Sequence, residues 1–244
     1  MNLTKTDLVK KAMPAKNSLK VFAENTYYHI YNRGVEKRNI FIDNQDYEVF
    51  LNLLKYYLSE NNQAIYHPIE IIAPDNRPLR PRPLKNLNKE IELIAYCLMP
   101  NHFHLLIKQI SKDGMTKLMR ALSTSYALYF NRRYKREGTL FQGRYKAVII
   151  KNDSYLLHLS RYIHLNPSSI LTRTDIVTWP YSSYSYFLGT KKADWVKPQI
   201  VLDFFKRPEN SPIPLEKFQT YQQFVEAGKE NPKENIEKLI LEDE

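Results

Sequence analysis

Cysteine is nearly missing from this 244-residue chain. Cys97 stands alone, which excludes a disulfide framework and any cysteine-built zinc site. Long apolar stretches are missing too: no run reaches 18 residues, so nothing in the sequence is expected to span a membrane. The opening MNLTKTDLVKKAMPAKNSLK has basic residues but no apolar segment, and is not expected to act as a secretory signal. No internal repeat is present, and tryptophan is limited to 2 residues. What is plentiful is tyrosine (18), phenylalanine (11) and positive charge. Lys and Arg total 36 against 26 Asp and Glu, a net charge of +10. With 43% hydrophobic and 25% charged residues, the chain reads as globular, one large domain or one domain with an appendage. A soluble, cytoplasmic protein with a polyanionic partner is the first expectation.

The charge is uneven. From Arg207 to Glu244 there are 5 Lys and Arg against 9 Asp and Glu, so the tail is acidic and the body before it carries +14. An excess of that size favours phosphate backbones through counterion release, although a merely basic soluble surface would give the same count.

Element by element, Thr26–Asn32 (TYYHIYN) predicts a strand closed by Gly34. Asp43 predicts the cap of a helix on which Tyr47, Phe50, Leu51, Leu54 and Leu58 recur at helical spacing. An Arg/Pro-rich insertion follows at about 62–89, with Arg77, Arg80, Arg82 and Lys85 at its centre. Ile91–Met99 and His102–Gln109 then read as a hairpin about Pro100-Asn101. A long helix is expected from Asp113 to Tyr134, ending in the basic cluster Arg132, Arg133, Lys135 and Arg136. Tyr145–Ile150 reads as a strand, and a third helix starts at Asp153 and stops by Pro167. The order β-α-β-β-α-β predicts an α+β, ferredoxin-like sheet with an extra helix packed after it. From Arg207, RPENSPIP reads as a linker into a short helical tail. The expected organisation is a basic arm (1–22), a catalytic domain (23–190) and an acidic helical extension (191–244).

Two segments carry chemistry. In Pro100-Asn101-His102-Phe103-His104, a strand sends His102 and His104 to one face and Phe103 to the other. Paired imidazoles suit a metal ion, and they equally suit two hydrogen-bonded surface histidines. In Arg161-Tyr162-Ile163-His164-Leu165-Asn166-Pro167, Tyr162 and Asn166 share a helix face one turn apart, where an amide oxygen and a hydroxyl could approach such a metal. His164 should point away from Tyr162. On spacing alone Tyr162 is one packing tyrosine among 18, and Asn166 a helix-end residue.

Taken together with the opening YHIYNRGVEKRNIF (Tyr28–Phe41), the segments YCLMPNHFHLLIKQ, LFQGRYK, RYIHLNP and WPYSSY occur in one order that resembles the REP-associated tyrosine transposases. These are relatives of the single-tyrosine HUH transposases of bacterial insertion sequences. The resemblance covers roughly Tyr28 to Leu188. It implies an HUH core in which His102 and His104 bind Mg²⁺ or Mn²⁺, Asn166 completes the metal site and Tyr162 is the nucleophile. Gln142, Arg144 and Tyr145 match a basic-aromatic segment near DNA. Arg161, Arg132, Arg133, Arg136, Arg77, Arg80 and Arg82 are further candidates for phosphate contacts. The implied substrate is single-stranded DNA folded into palindromic hairpins, cleaved and rejoined through a 5′-phosphotyrosine. A phenol with a pKa near ~10 is protonated at neutral pH and needs such help to attack. Members of this superfamily act as monomers or homodimers, and both states are open. Two other classes stay open: a non-cleaving DNA-binding regulator on the same fold, and a water-using hydrolase or replication-initiator-type HUH nuclease. An initiator would more often pair two tyrosines on this helix, and Tyr155 lacks the Asn-Pro context.

Overall fold

The computed structural model describes residues 23–60, 86–171 and 175–228. The basic arm, Arg77, Arg80, Arg82 and Lys85 of the insertion, and the end of the acidic tail lie outside them. Four strands form one antiparallel sheet in the order β2-β3-β1-β4. They are β1 (Thr26–Arg33), β2 (Ile91–Met99), β3 (His102–Gln109) and β4 (Lys146–Ile149). The helices α1 (Asn44–Leu58) and α2 (Gly114–Arg133) form the two crossovers, so the chain runs β-α-β-β-α-β as a ferredoxin-like α+β unit. Then come α3 (Asp153–Leu165), α4 (Tyr184–Phe187), α5 (Gln199–Lys206) and α6 (Tyr221–Ala227). Among the described residues no helix is long and apolar enough to cross a membrane.

The sheet divides the core in two because its side chains alternate. Tyr28, Ile30, Leu93, Tyr96, Leu98, Phe103, Leu105 and Ile107 face α1 and α2, where Phe50, Leu53, Leu54, Leu118, Leu122 and Tyr126 complete one core. On the other face Ile94, Ala95, Cys97, Met99 and Leu106 pack with Leu156, Leu159 and Ile163 of α3. A bulge in β2 between Leu93 and Ala95 explains why Ile94 and Ala95, neighbours in sequence, both serve this second core.

Local signals set the ends of the elements. The Asp43 carboxylate accepts from the amides of Gln45 and Asp46, capping α1. Asp46 is fully buried and accepts from the Ile42 amide, the Tyr129 and Tyr134 hydroxyls and Arg133, each at 2.8 Å. It ties the start of α1 to the end of α2. The hairpin turn is clamped by the loop after β1: Gly34 donates to the Asn101 carbonyl at 2.8 Å, and Ile40 and Phe41 to that of Pro100. A side chain at Gly34 would meet the Arg38 carbonyl oxygen 2.2 Å away, so only glycine fits that close approach. Of the expected insertion, residues 86–89 are described, and Leu87 is buried with its amide donating to the Tyr57 carbonyl at 2.7 Å.

The segment from Arg207 is not a free linker and tail. Leu215, Tyr221, Phe224 and Val225 are buried in the second core, so residues 207–228 pack as part of the body. Nor does the chain open a new unit after residue 190. Trp195 stacks on Tyr96 at 5.6 Å, and Lys197 donates to the Leu93 carbonyl at 2.8 Å. The WPYSSY segment lies along the outer edge of β2, where Leu98 donates to Tyr181 and Ser183 to Tyr96. That pairing covers a strand edge that would otherwise be open.

Candidate active site

The alternation of β3 sends His102 and His104 to the face that α3 partly covers. In the ladder His102 lies beside Arg33, and His104 beside Tyr31. Tyr31 in turn lies beside Lys146 of β4. Arg33, Tyr31, Lys146 and His29 therefore share the histidines' face. The His102 and His104 rings stand 5.0 Å apart and nearly perpendicular, at 87°.

The last turn of α3 completes the constellation. The Tyr162 ring meets His104 edge-on, with centroids 5.4 Å apart at 82°. Asn166 ends α3 and begins the 3-10 helix Asn166–Ser169. Its Nδ2 donates to the Tyr162 carbonyl at 3.1 Å, which leaves Oδ1 as the free end of the amide, 3.4 Å from Nε2 of His102. Nδ1 of His102 is 2.7 Å from the Asn101 side-chain oxygen, and Nδ1 of His104 is 2.9 Å from Nε2 of His29. The contacts to Asn101 and His29 use Nδ1, so Nε2, which on His102 faces Asn166 Oδ1, is the nitrogen each histidine can offer a metal. Burial, then the charges of His102 and His29, hold His104 well below the usual imidazole range, in the neutral form that ligates.

Two imidazole nitrogens and an amide oxygen fit a divalent cation with coordination positions left open for phosphate oxygens. Among the described residues no cluster of three or more His, Cys, Asp or Glu could hold a metal, so this trio would bring no negative charge of its own.

The other expected site residues are distributed differently. Gln142 and Arg144 are exposed, and the Gln142 side-chain oxygen accepts from Nε of Arg33, which puts this loop beside His102's ladder partner. Tyr145 is half-buried against the α1–α2 core. Arg132 is exposed near the end of α2, and Arg136, three residues past that helix, lies over its Phe130 ring at 5.8 Å; α2 packs on the opposite layer from the histidines. Arg133 does not present its charge to solvent as expected: it is paired with Asp43 at 2.6 Å and Asp46 at 2.8 Å. Arg161 is likewise not presented to solvent. One residue before Tyr162 on a helix, it points about 100° away, and it is buried against the Phe224 ring at 4.5 Å.

Sequence reasoning missed the brace behind the tyrosine helix. His164 is fully buried, 2.7 Å from the Tyr221 hydroxyl and 2.7 Å from Ser183 Oγ, and Tyr221 also donates to Ser160 Oγ at 3.1 Å. An apolar position on α3 that holds histidine was the available signal, but its partners lie on distant segments. Burial pushes the His164 pKa down to about 3. The folded state therefore resists a proton that the unfolded state takes up near the ordinary value of about 6.5. Stability from this group is complete above that value and is lost as pH falls through the window toward 3, by up to about 1.4 kcal/mol per pH unit. Thermal melts are expected to show the melting temperature falling with acidification in this window, and His164→Gln to lessen that dependence, the rest coming from His29 and His104, which burial also holds neutral. An unchanged slope in the variant would assign it to other groups.

Comparison with known proteins supports the motif reading. Residues 85–166 match the model of the family described as "Transposase IS200 like". The chain is 29% identical over 103 residues to a protein of Haemophilus influenzae assigned as a REP-associated tyrosine transposase. The match covers 38% of this chain, and the chain spans 58% of that relative's length. Among solved structures, one titled as a REP-associated tyrosine transposase bound to a REP hairpin aligns with TM-score 0.48 and 14% identity, over 75% of this chain and 92% of that one. A transposase assignment from Deinococcus radiodurans aligns with TM-score 0.35 and 13% identity, over 61% and 95%. The segment that carries the two histidines, Tyr162 and Asn166 thus matches the IS200-like transposase model, and the chain resembles the REP-associated tyrosine transposases.

Proposed function

We propose that this chain is a metal-dependent transposase-type enzyme that cleaves and rejoins single-stranded hairpin DNA in the cytoplasm, with Tyr162 as nucleophile. The observation that carries the reading is the meeting of His102, His104 and Asn166 with Tyr162, brought from β3 and the end of α3 to one place. The phenolic oxygen of Tyr162 attacks phosphorus. A tyrosine O–P bond forms, the P–O3′ bond breaks, and the phenolic proton ends on the released 3′-hydroxyl or in solvent. The product is a 5′-phosphotyrosine, whose bond energy allows rejoining without ATP. A Mg²⁺ or Mn²⁺ ion held by His102, His104 and Asn166 would neutralise charge on the phosphate oxygens.

The chain's own residues do the rest. Asn166 ties its amide to the backbone of Tyr162, so the ligand oxygen and the nucleophile keep one spacing. Arg33 and Lys146 flank the histidines in the ladder and add positive potential where the phosphate must sit. Gln142 and Arg144 extend that surface along the strand. The hairpin substrate follows from the sequence resemblance, and the basic body suits it.

The test is incubation of the chain with end-labelled single-stranded hairpin DNA and Mn²⁺, followed by denaturing electrophoresis. The expected result is a protein–DNA adduct that survives denaturation and disappears when a chelator is added first. Cleavage with no adduct would instead mean water-based hydrolysis, and binding without cleavage a regulator.

A further inference from the structure

The histidine behind His104 has no part in the chemistry described so far. His29 lies on β1, one step along the sheet face from Tyr31, the ladder partner of His104. It is fully buried. Its ring lies nearly coplanar with that of His104, edge to edge with centroids 5.1 Å apart at 15°, and is stacked on that of Tyr31, 4.9 Å apart at 28°. Its Nε2 is 2.9 Å from Nδ1 of His104, while its own Nδ1 is buried with no hydrogen-bond partner among the described residues.

That last fact has a cost. A buried polar atom without a partner destabilises a fold by about 1–3 kcal/mol, and an aromatic hydrocarbon of the same shape would avoid the penalty. Packing alone therefore gives no reason for an imidazole at this position. Among the described residues, the one hydrogen bond the ring makes is with His104.

We propose that His29 is a positioning residue that accepts the Nδ1–H of His104, and so holds His104 in the tautomer whose Nε2 lone pair is available to a metal ion. The inference rests on the reading of His102, His104 and Asn166 as a metal-binding trio. One proton lies between the two rings. If it belonged to His29, neutral His104 would carry its own proton on Nε2 and that nitrogen could not ligate. With the proton on His104 Nδ1, Nε2 is a base. The stack on Tyr31 holds the His29 ring nearly coplanar with His104, the orientation this bond requires. Metal-ligating histidines are generally oriented in this way by an acceptor at the other nitrogen, and loss of that acceptor weakens metal binding by about 10–100-fold.

The test uses the full chain and Mn²⁺ alone as the probe. Nitrogen-15 NMR of the metal-free protein is expected to show His104 protonated at Nδ1. Titration followed by the electron paramagnetic resonance of free Mn²⁺ is expected to show binding about 10–100-fold weaker in His29→Phe, which keeps a ring but has no acceptor. His29→Gln, whose carbonyl oxygen can reach the place of Nε2, is expected to recover most of the loss. A His104 signal protonated at Nε2 in the unmodified protein would overturn the proposal. So would a folded His29→Phe protein that binds Mn²⁺ as tightly as its parent. If His29→Phe fails to fold, His29→Gln and the NMR of the unmodified chain decide. The metal reading is judged separately: His102→Ala must abolish Mn²⁺ binding, and if it does not, the trio is wrong whatever His29 does.

Discussion

Tyr162→Phe should form no denaturation-resistant adduct with single-stranded hairpin DNA, while binding that DNA about as tightly as the parent chain. The change removes one oxygen and leaves the ring that packs edge-on against His104. Fold and DNA surface therefore stay as they are, and only the attacking atom is lost. Removing the nucleophile of a covalent mechanism costs at least ~10⁴-fold in rate. Denaturing gels report the adduct, and filter binding on the same DNA reports the affinity. Tyr155 is no substitute, because it is buried and its phenol is pushed further from ionisation by desolvation and the charge of Tyr31. An adduct in the variant would require a nucleophile other than Tyr162 and would end the proposed mechanism.

The largest effect on stability is expected from Asp46→Ala, on the other side of the sheet from the site. Its carboxylate accepts four hydrogen bonds: from the Ile42 amide, two tyrosine hydroxyls and Arg133. Alanine leaves a cavity, a buried and a partly buried hydroxyl (Tyr129 and Tyr134) short of an acceptor, and a guanidinium only 22% exposed with half its counter-charge. Breaking a buried pair from one side costs about 3–5 kcal/mol. For a domain of this size that is roughly a 10 °C fall in melting temperature. Urea denaturation with an unchanged m-value would confirm that the native state alone was weakened. A loss under about 1 kcal/mol would mean that water replaces the carboxylate and the cluster is less buried than its geometry indicates. Asp43, which shares Arg133, is largely exposed and should matter far less. Its carboxyl is held below the usual range mainly by the hydrogen bond from Arg133.

Local features of the chain were legible because their causes are local. The hairpin strands have the bounds that the two apolar runs about Pro100-Asn101 predict. Asp43 caps its helix, and the long helix expected from Asp113 to Tyr134 is α2, with Arg132 and Arg133 in its last turn. The pairing of Tyr162 with Asn166 was legible from a single helical turn. What could not be read depends on partners far away in sequence. His29 meets His104 across 75 residues, and His164 meets Tyr221 across 57. Arg161 and Arg133 look like exposed basic residues until the helices that cover or pair them are in place. Pro208, Pro212 and Pro214 made the segment after Arg207 read as a linker, although Leu215, Tyr221, Phe224 and Val225 behind them are core residues.

The brace on the tyrosine helix also has a consequence in time. Tyr221 leaves the ribosome 57 residues after His164, which at ordinary synthesis rates is roughly 3–11 s. During that interval the sheet and both histidines of the site are already made, but α3 lacks the hydroxyl and the Phe224 ring against which its buried side seats. Tyr162 is thus the last part of the candidate site to gain its final footing during synthesis. A nascent chain interrupted before residue 221 would carry the sheet and its histidines without a seated Tyr162.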